Sequence, residues 1–176
     1  MKSYTPTQIT RDHLLATKVG NEVSFIVPQN EIITELNDGR IEWTAKEHHG
    51  EYEWTHNQPV ENFIEAYYPL QTQDKFFIAE SYEAKEGEGF LVAALMTPEQ
   101  SRFHGVVVDV RVQRINSWRM DRLETLHPTY EYGSKIDYVT KYLYPTVTAQ
   151  HNELHKLSIE PSLDDYVFYM TARRTR

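Results

Sequence analysis

The chain has no cysteine among its 176 residues. That excludes disulfides, thiolate metal ligands and cysteine nucleophiles together, and it fits a reducing compartment. Positive charge is also scarce: 18 Lys and Arg stand against 26 Asp and Glu, a formal charge of −8. Such a surface repels a phosphate backbone, so nucleic acid is not an expected partner. The one basic cluster, Arg173, Arg174 and Arg176, reads as a solvated tail. No apolar run approaches the roughly 20 residues that cross a bilayer, and the opening MKSYTPTQITRDHLL lacks the apolar core of a signal peptide. These absences describe a soluble, cytoplasmic protein with no membrane partner.

Chemical motifs are missing as well. There is no GxSxG elbow, no phosphate-cradling glycine loop and no dinucleotide fingerprint. The histidines of EHHG, His48 and His49, and His56 lack the spacing of a zinc motif. Adjacent side chains on an extended chain point opposite ways. Neither a metal nor a cofactor is expected.

What is present begins with a length suited to one domain, long enough to bury most of its unfolded surface without staples. Twelve tyrosines stand out; each has an apolar ring and a polar tip, a combination suited to pocket walls and interfaces. Thr10 is placed to cap a short helix through Lys18, closed by Gly20. From there the pattern turns to period two. Strands are predicted over 22–27, 31–36, 40–46, 61–68, 75–82, 89–96, 104–112 and 165–172. Asn37-Asp38-Gly39 is the strongest turn between them, because Gly39 tolerates positive φ. Residues 117–127 suggest a helix, and 135–147 fit either a strand or a helix interrupted by Pro145.

Short polar turns between consecutive strands describe a mainly β fold, most simply an antiparallel up-and-down β-barrel with one or two short helices. The expected organisation is a single domain over 1–176. An N-terminal helix or arm spans 1–20, a core meander 22–112, and a C-terminal helix with closing strands 113–176.

Alternation assigns faces. In 104–112, His104 shares a face with Val106, Val108, Val110 and Val112, which reads as interior. Gly105, Val107, Asp109 and Arg111 form the other face, read as exterior, with the two charges paired in solvent and available to a homodimer contact. In 75–82, Glu80 shares a face with Phe76, Ile78 and Tyr82. A carboxylate inside a barrel must be paired or protonated, and either state serves proton transfer. Tyr82, Tyr68, Trp43 and Arg40 supply aromatic walls and a polar group. A one-residue slip in register would move each set to the other face.

The stretch FFIAESYEAKEGEGFLVAALMTPEQSRFHGVVV resembles the central hairpins of the phenolic acid decarboxylases and of the related MoaF-like proteins, both small calycin-type barrels. VGNEVSFIV, YVTKYLYPTV and DDYVFYMTARR fall where such a resemblance would place similar segments. The resemblance implies a cofactor-free barrel that takes a para-hydroxycinnamate. In it a first-strand tyrosine pair holds the carboxylate, and an arginine and a glutamate serve the phenol end and the proton. Here the tyrosine positions fall on Phe25 and Val27, which cannot make that bond. The arginine position falls near HHGEYEW, which has none. The glutamate position falls on Glu80 or Glu83.

Two functions follow as expectations. The first is a cofactor-free lyase or isomerase with Glu80 and His104 as general acid and base on a small, aromatic or hydroxylated organic molecule. The second is a lipocalin-like barrel that binds such a molecule without turnover. A structural or regulatory partner protein with a filled barrel is a third.

Overall fold

The computed structural model describes residues 1–6, 8–27, 29, 31–44, 55–80, 82–83, 90–91, 95–117, 134, 137 and 162–176. Ten strands and two α-helices lie among them: β1 (Lys2–Tyr4), α1 (Gln8–Ala16), β2 (Glu22–Val27), β3 (Ile32–Asn37), β4 (Arg40–Thr44), β5 (Thr55–Pro59), α2 (Val60–Tyr67), β6 (Lys75–Ile78), β7 (Tyr82–Glu83), β8 (Phe90–Leu91), β9 (His104–Arg114) and β10 (Tyr166–Arg174). The fold is mainly β. Among the described residues no helix is long and apolar enough to cross a membrane.

Strand order departs from a meander. The main sheet runs β1-β6-β9-β10-β2, a second sheet runs β3-β4-β5, and β7 pairs with β8 alone. β1 is parallel to β6, whereas β6-β9, β9-β10 and β10-β2 are antiparallel. Neighbours in this sheet come from distant parts of the sequence, and no sheet of the described residues closes on itself. The β3-β4 hairpin matches expectation: Asp38 and Gly39 both have positive φ, 49° and 73°, as a two-residue mirror-type turn requires.

Residues 60–67 are helical, not a strand. Pro59 stands at the helix start, where a missing N–H costs nothing, and Phe63 and Ile64 are buried. The apolar set Val60, Phe63, Ile64 and Tyr67 repeats at i, i+3, i+4 and i+7, one face of a helix. In α1, Thr10 lies within the helix rather than capping it, and Thr10, His13 and Leu14 are buried on it, as is Thr17 just past its end. The 75–82 strand ends at Ile78, and of 89–96 the described strand is Phe90–Leu91. Readings over 118–133, 138–147 and the EHHG histidines fall outside the described residues.

One core cluster joins Leu14, Phe25, Ile41, Trp43, Phe63, Leu70, Phe76, Ile78, Phe103, Val107, Val110, Val112, Phe168 and Met170. It fills the space between the main sheet, α1, α2 and β4. A smaller cluster, Phe77, Ala79 and Met96, lies apart from it.

β9 changes face part-way along. Its pairing with β10 steps from Asp109 to Val107 across Thr171/Ala172, so Val108 is an extra residue, a β-bulge. Before the bulge Gly105 and Val107 are buried; after it Val110 and Val112 are. His104 therefore stands opposite the core, paired with Phe77, and is not interior. Val107 is core, which removes it from any exterior dimer face. Asp109 and Arg111 do pair, 2.6 Å apart and partly exposed.

The C-terminal arginines are not a solvated tail. Arg174 donates from Nη1 to the carbonyls of Leu15 and Thr17 at 2.7 and 2.8 Å and from Nη2 to that of Arg102 at 3.0 Å. Its guanidinium also lies over the Phe103 ring. The orphan carbonyls that end α1 are thus satisfied by a cation, which the helix dipole favours. Arg173 pairs with Glu22.

Candidate functional site

A cleft of about 170 Å³ opens between the two edges of the main sheet. Tyr4 comes from edge strand β1, and Ile26 and Val27 from the opposite edge β2. Tyr67, Tyr68 and Pro69 come from the end of α2, Phe168 from β10, and Thr5, Pro6 and Thr10 from the approach to α1 and its first turns. Both edge strands reaching one cleft means that the sheet curls, as twisted sheets do, and leaves a gap where its edges approach.

Tyr4 and Tyr68 are buried. The two phenols influence each other electrostatically, and Tyr68 Oη donates to Met170 Sδ at 3.0 Å. Burial pushes the Tyr4 phenol up to about 12, partly offset by the neighbouring Tyr68. Burial, and then the neighbouring Tyr4, hold the Tyr68 phenol well above its ordinary range. Both therefore stay neutral through the physiological range. Around them the rings interlock: Tyr4 meets Phe76 edge-on at 5.8 Å, and Tyr68 tilts against Phe168 at 5.0 Å. Tyr67 is 42% exposed and contacts both Phe63 and Trp43.

Of the sequence-derived candidates, Tyr68 lines this cleft. Trp43 lies behind Tyr67, stacked on His56 at 4.3 Å, its buried Nε1 without a partner among the described residues. Arg40 is elsewhere, at the β3-β4 turn, donating to the side chain and carbonyl of Asn57. Tyr82 pairs with Leu91 through the backbone; its side chain lies outside the described part. Phe25 is core and Val27 borders the cleft.

Glu80 and His104 are each engaged separately. Arg102 holds Glu80 with two hydrogen bonds, Nε to Oε1 and Nη2 to Oε2. His104 Nε2 lies 2.7 Å from the Pro98 carbonyl. Neither lines the cleft. Among the described residues no group of three or more His, Asp or Glu side chains is placed to hold a metal ion.

Sequence reasoning missed Tyr4, Tyr67 and Phe168. The tyrosine surplus was the available signal. Tyr4 ends a three-residue strand, too short for periodicity to reveal, and its sheet partner is over 70 residues away. No protein-family model, curated protein or solved structure matches the chain.

Proposed function

We propose that the protein binds a small, mostly apolar organic molecule in the cleft between β1 and β2. The lining carries this reading. It consists of tyrosine, phenylalanine, proline, isoleucine, valine and threonine, and none of the described lining residues has a carboxylate, imidazole, amine or guanidinium. Apolar walls with a few hydroxyls are how small-molecule sites are built. An apolar cavity of about 150 Å³ accepts a benzene-sized ring, so a cleft of about 170 Å³ suits a single-ring molecule. A calycin-type barrel, with kinship to the phenolic acid decarboxylases and MoaF-like proteins, is part of the same proposal. What supports it is that β1 and β2, the edges a barrel would join, border one cleft.

The lyase or isomerase reading has one observation in its favour: Glu80 is a buried carboxylate beside a charged donor, a setting that suits proton chemistry. Against it, both Glu80 oxygens are occupied by Arg102 and His104 Nε2 by a backbone carbonyl.

Equilibrium dialysis against a panel of single-ring compounds, read by mass spectrometry, tests the proposal. An unchanged compound retained by the protein and lost from Val27→Trp, whose larger side chain fills the cleft, is the expected result. A compound converted to a new mass, with conversion abolished in Glu80→Gln, would replace binding by catalysis. Neither retention nor conversion would remove the cleft as a site.

A further inference from the structure

The two tyrosines of AYYPL leave α2 differently. Pro69 disfavours a helical conformation in the residue before it, and Tyr68 is accordingly extended, at φ −117° and ψ 127°. Tyr67 is therefore the last ring of the helix and Tyr68 the first beyond it, and both border the cleft. Tyr4 and Phe168 add their rings to the same wall. A second layer of rings braces the first. Phe63 lies 4.9 Å from Tyr67 and 5.9 Å from Phe168, Trp43 lies 5.1 Å from Tyr67, and Phe76 lies 5.8 Å from Tyr4. Phe63 and Phe76 are fully buried. A wall packed in this way has little room to reshape around a guest.

We infer that the cleft selects a flat aromatic ring over a saturated ring of the same carbon count, and that Tyr67 is the residue that sets this preference. The inference rests on the binding reading above. Area burial does not give it, because a saturated ring is at least as apolar as its aromatic counterpart and gains as much by leaving water. The difference comes from ring against ring. Edge-on and offset aromatic contacts are worth about two- to tenfold in affinity beyond the area they bury. A saturated ring has no π face, and it is thicker than a flat one, so a braced wall fits it less well. Tyr4, Tyr68 and Phe168 are buried, with most of their ring surface committed to the core. Tyr67 is 42% exposed, so it keeps ring area for a guest while Phe63 and Trp43 hold it in place. The lining hydroxyls belong to Tyr4, Thr5, Thr10, Tyr67 and Tyr68. A hydroxyl donates and accepts, so these bear on a ligand's polar group in either sense and not on its ring.

Benzyl alcohol and cyclohexylmethanol test it. They carry the same uncharged hydroxymethyl group on a flat and on a saturated ring, so the contribution of the lining hydroxyls cancels in the comparison. Titrations are followed by NMR at the indole N–H of Trp43, one of three tryptophans, whose ring packs against Tyr67. Benzyl alcohol is expected to bind at least about twofold tighter than cyclohexylmethanol, the lower end of what a ring contact is worth. In Tyr67→Leu, which keeps an apolar side chain and removes the ring, that margin is expected to shrink, with cyclohexylmethanol binding as in the parent and reporting an intact cleft. In Tyr67→Phe, which keeps the ring and removes the hydroxyl, the margin is expected to persist. A parent margin below about twofold, a margin that Tyr67→Leu leaves unchanged, or one that Tyr67→Phe also loses overturns the inference and leaves the cleft as a binding site. If neither compound binds the parent, the binding reading itself fails, and this inference with it.

Discussion

Arg102 grips Glu80 through both carboxylate oxygens, Nε to Oε1 at 2.9 Å and Nη2 to Oε2 at 2.7 Å. The two partners differ in environment: Glu80 is 9% exposed and the Arg102 side chain 64%. A parallel two-point contact is the stronger form of ion pair, yet solvent at the arginine screens it. Removing the arginine leaves a buried carboxylate without its cation. Arg102→Ala is expected to lower unfolding free energy by about 1–2 kcal/mol, between the values for exposed and buried pairs. Urea denaturation of Arg102→Ala, Glu80→Gln and the double variant measures the coupling; a coupling near zero would mean that the contact is ornamental.

Arg174 gives a second stability prediction. Its contacts to the Leu15, Thr17 and Arg102 carbonyls join the last strand to the end of α1 and to the segment before β9. Arg174→Ala is expected to cost about 2 kcal/mol, from several charge-assisted hydrogen bonds partly replaced by water. Arg173→Ala, one residue away and exposed beside Glu22, is expected to cost less than about 0.5 kcal/mol. Amide exchange at the end of α1 should accelerate in the first variant and not in the second. Equal effects would show that Arg174 has no special role in holding the helix.

Much of the strand content was legible because alternation is a local property. Residues 22–27 were placed to the residue, and the Asp38-Gly39 turn followed from which side chains tolerate positive φ. The cleft was not legible, because its walls come from both edges of a sheet whose order is set by pairings across the whole chain. Two misreadings have local causes. In 60–67 alternation and helical spacing compete over a short window, and Pro59 with Phe63 and Ile64 was the deciding signal. In β9, adjacent valines hide the parity change at Val108, since either register buries a valine. His104 was placed inside for that reason alone.

Gly105 tests the face assignment that replaced it. A methyl group there would lie 2.8 Å from Phe103 Cε1 and 2.9 Å from Phe76 Cε1 and Cζ. Both rings are fully buried in the main core, so neither can swing aside cheaply. Gly105→Ala is expected to cost about 1–3 kcal/mol, the usual penalty of overpacking. A thermal melt matching the parent would place residue 105 away from those rings and restore the interior assignment of His104.

The tyrosine pair predicts a specific alkaline response. Tyr4 titrates at about 12 in the folded protein against 10.0 for an unperturbed phenol. Between those values the unfolded chain loses the Tyr4 proton while the native one keeps it, so the native state binds more protons and stability falls as pH rises. The contribution is fully present below pH 10 and is lost as pH climbs through 12. Its size is on the order of 3 kcal/mol for Tyr4, and Tyr68, also raised, adds to the same slope. Denaturant midpoints measured from pH 9 to 11.5 are expected to fall steeply in the parent and less steeply in Tyr4→Phe, which keeps the ring and removes the titrating oxygen. Absorbance at the phenolate band separates this from a general alkaline effect: most tyrosines should ionise before the transition and the buried pair with it. If every tyrosine ionised in one step while the protein stayed folded, the pair would be open to water, and the protonated cleft would have to be abandoned.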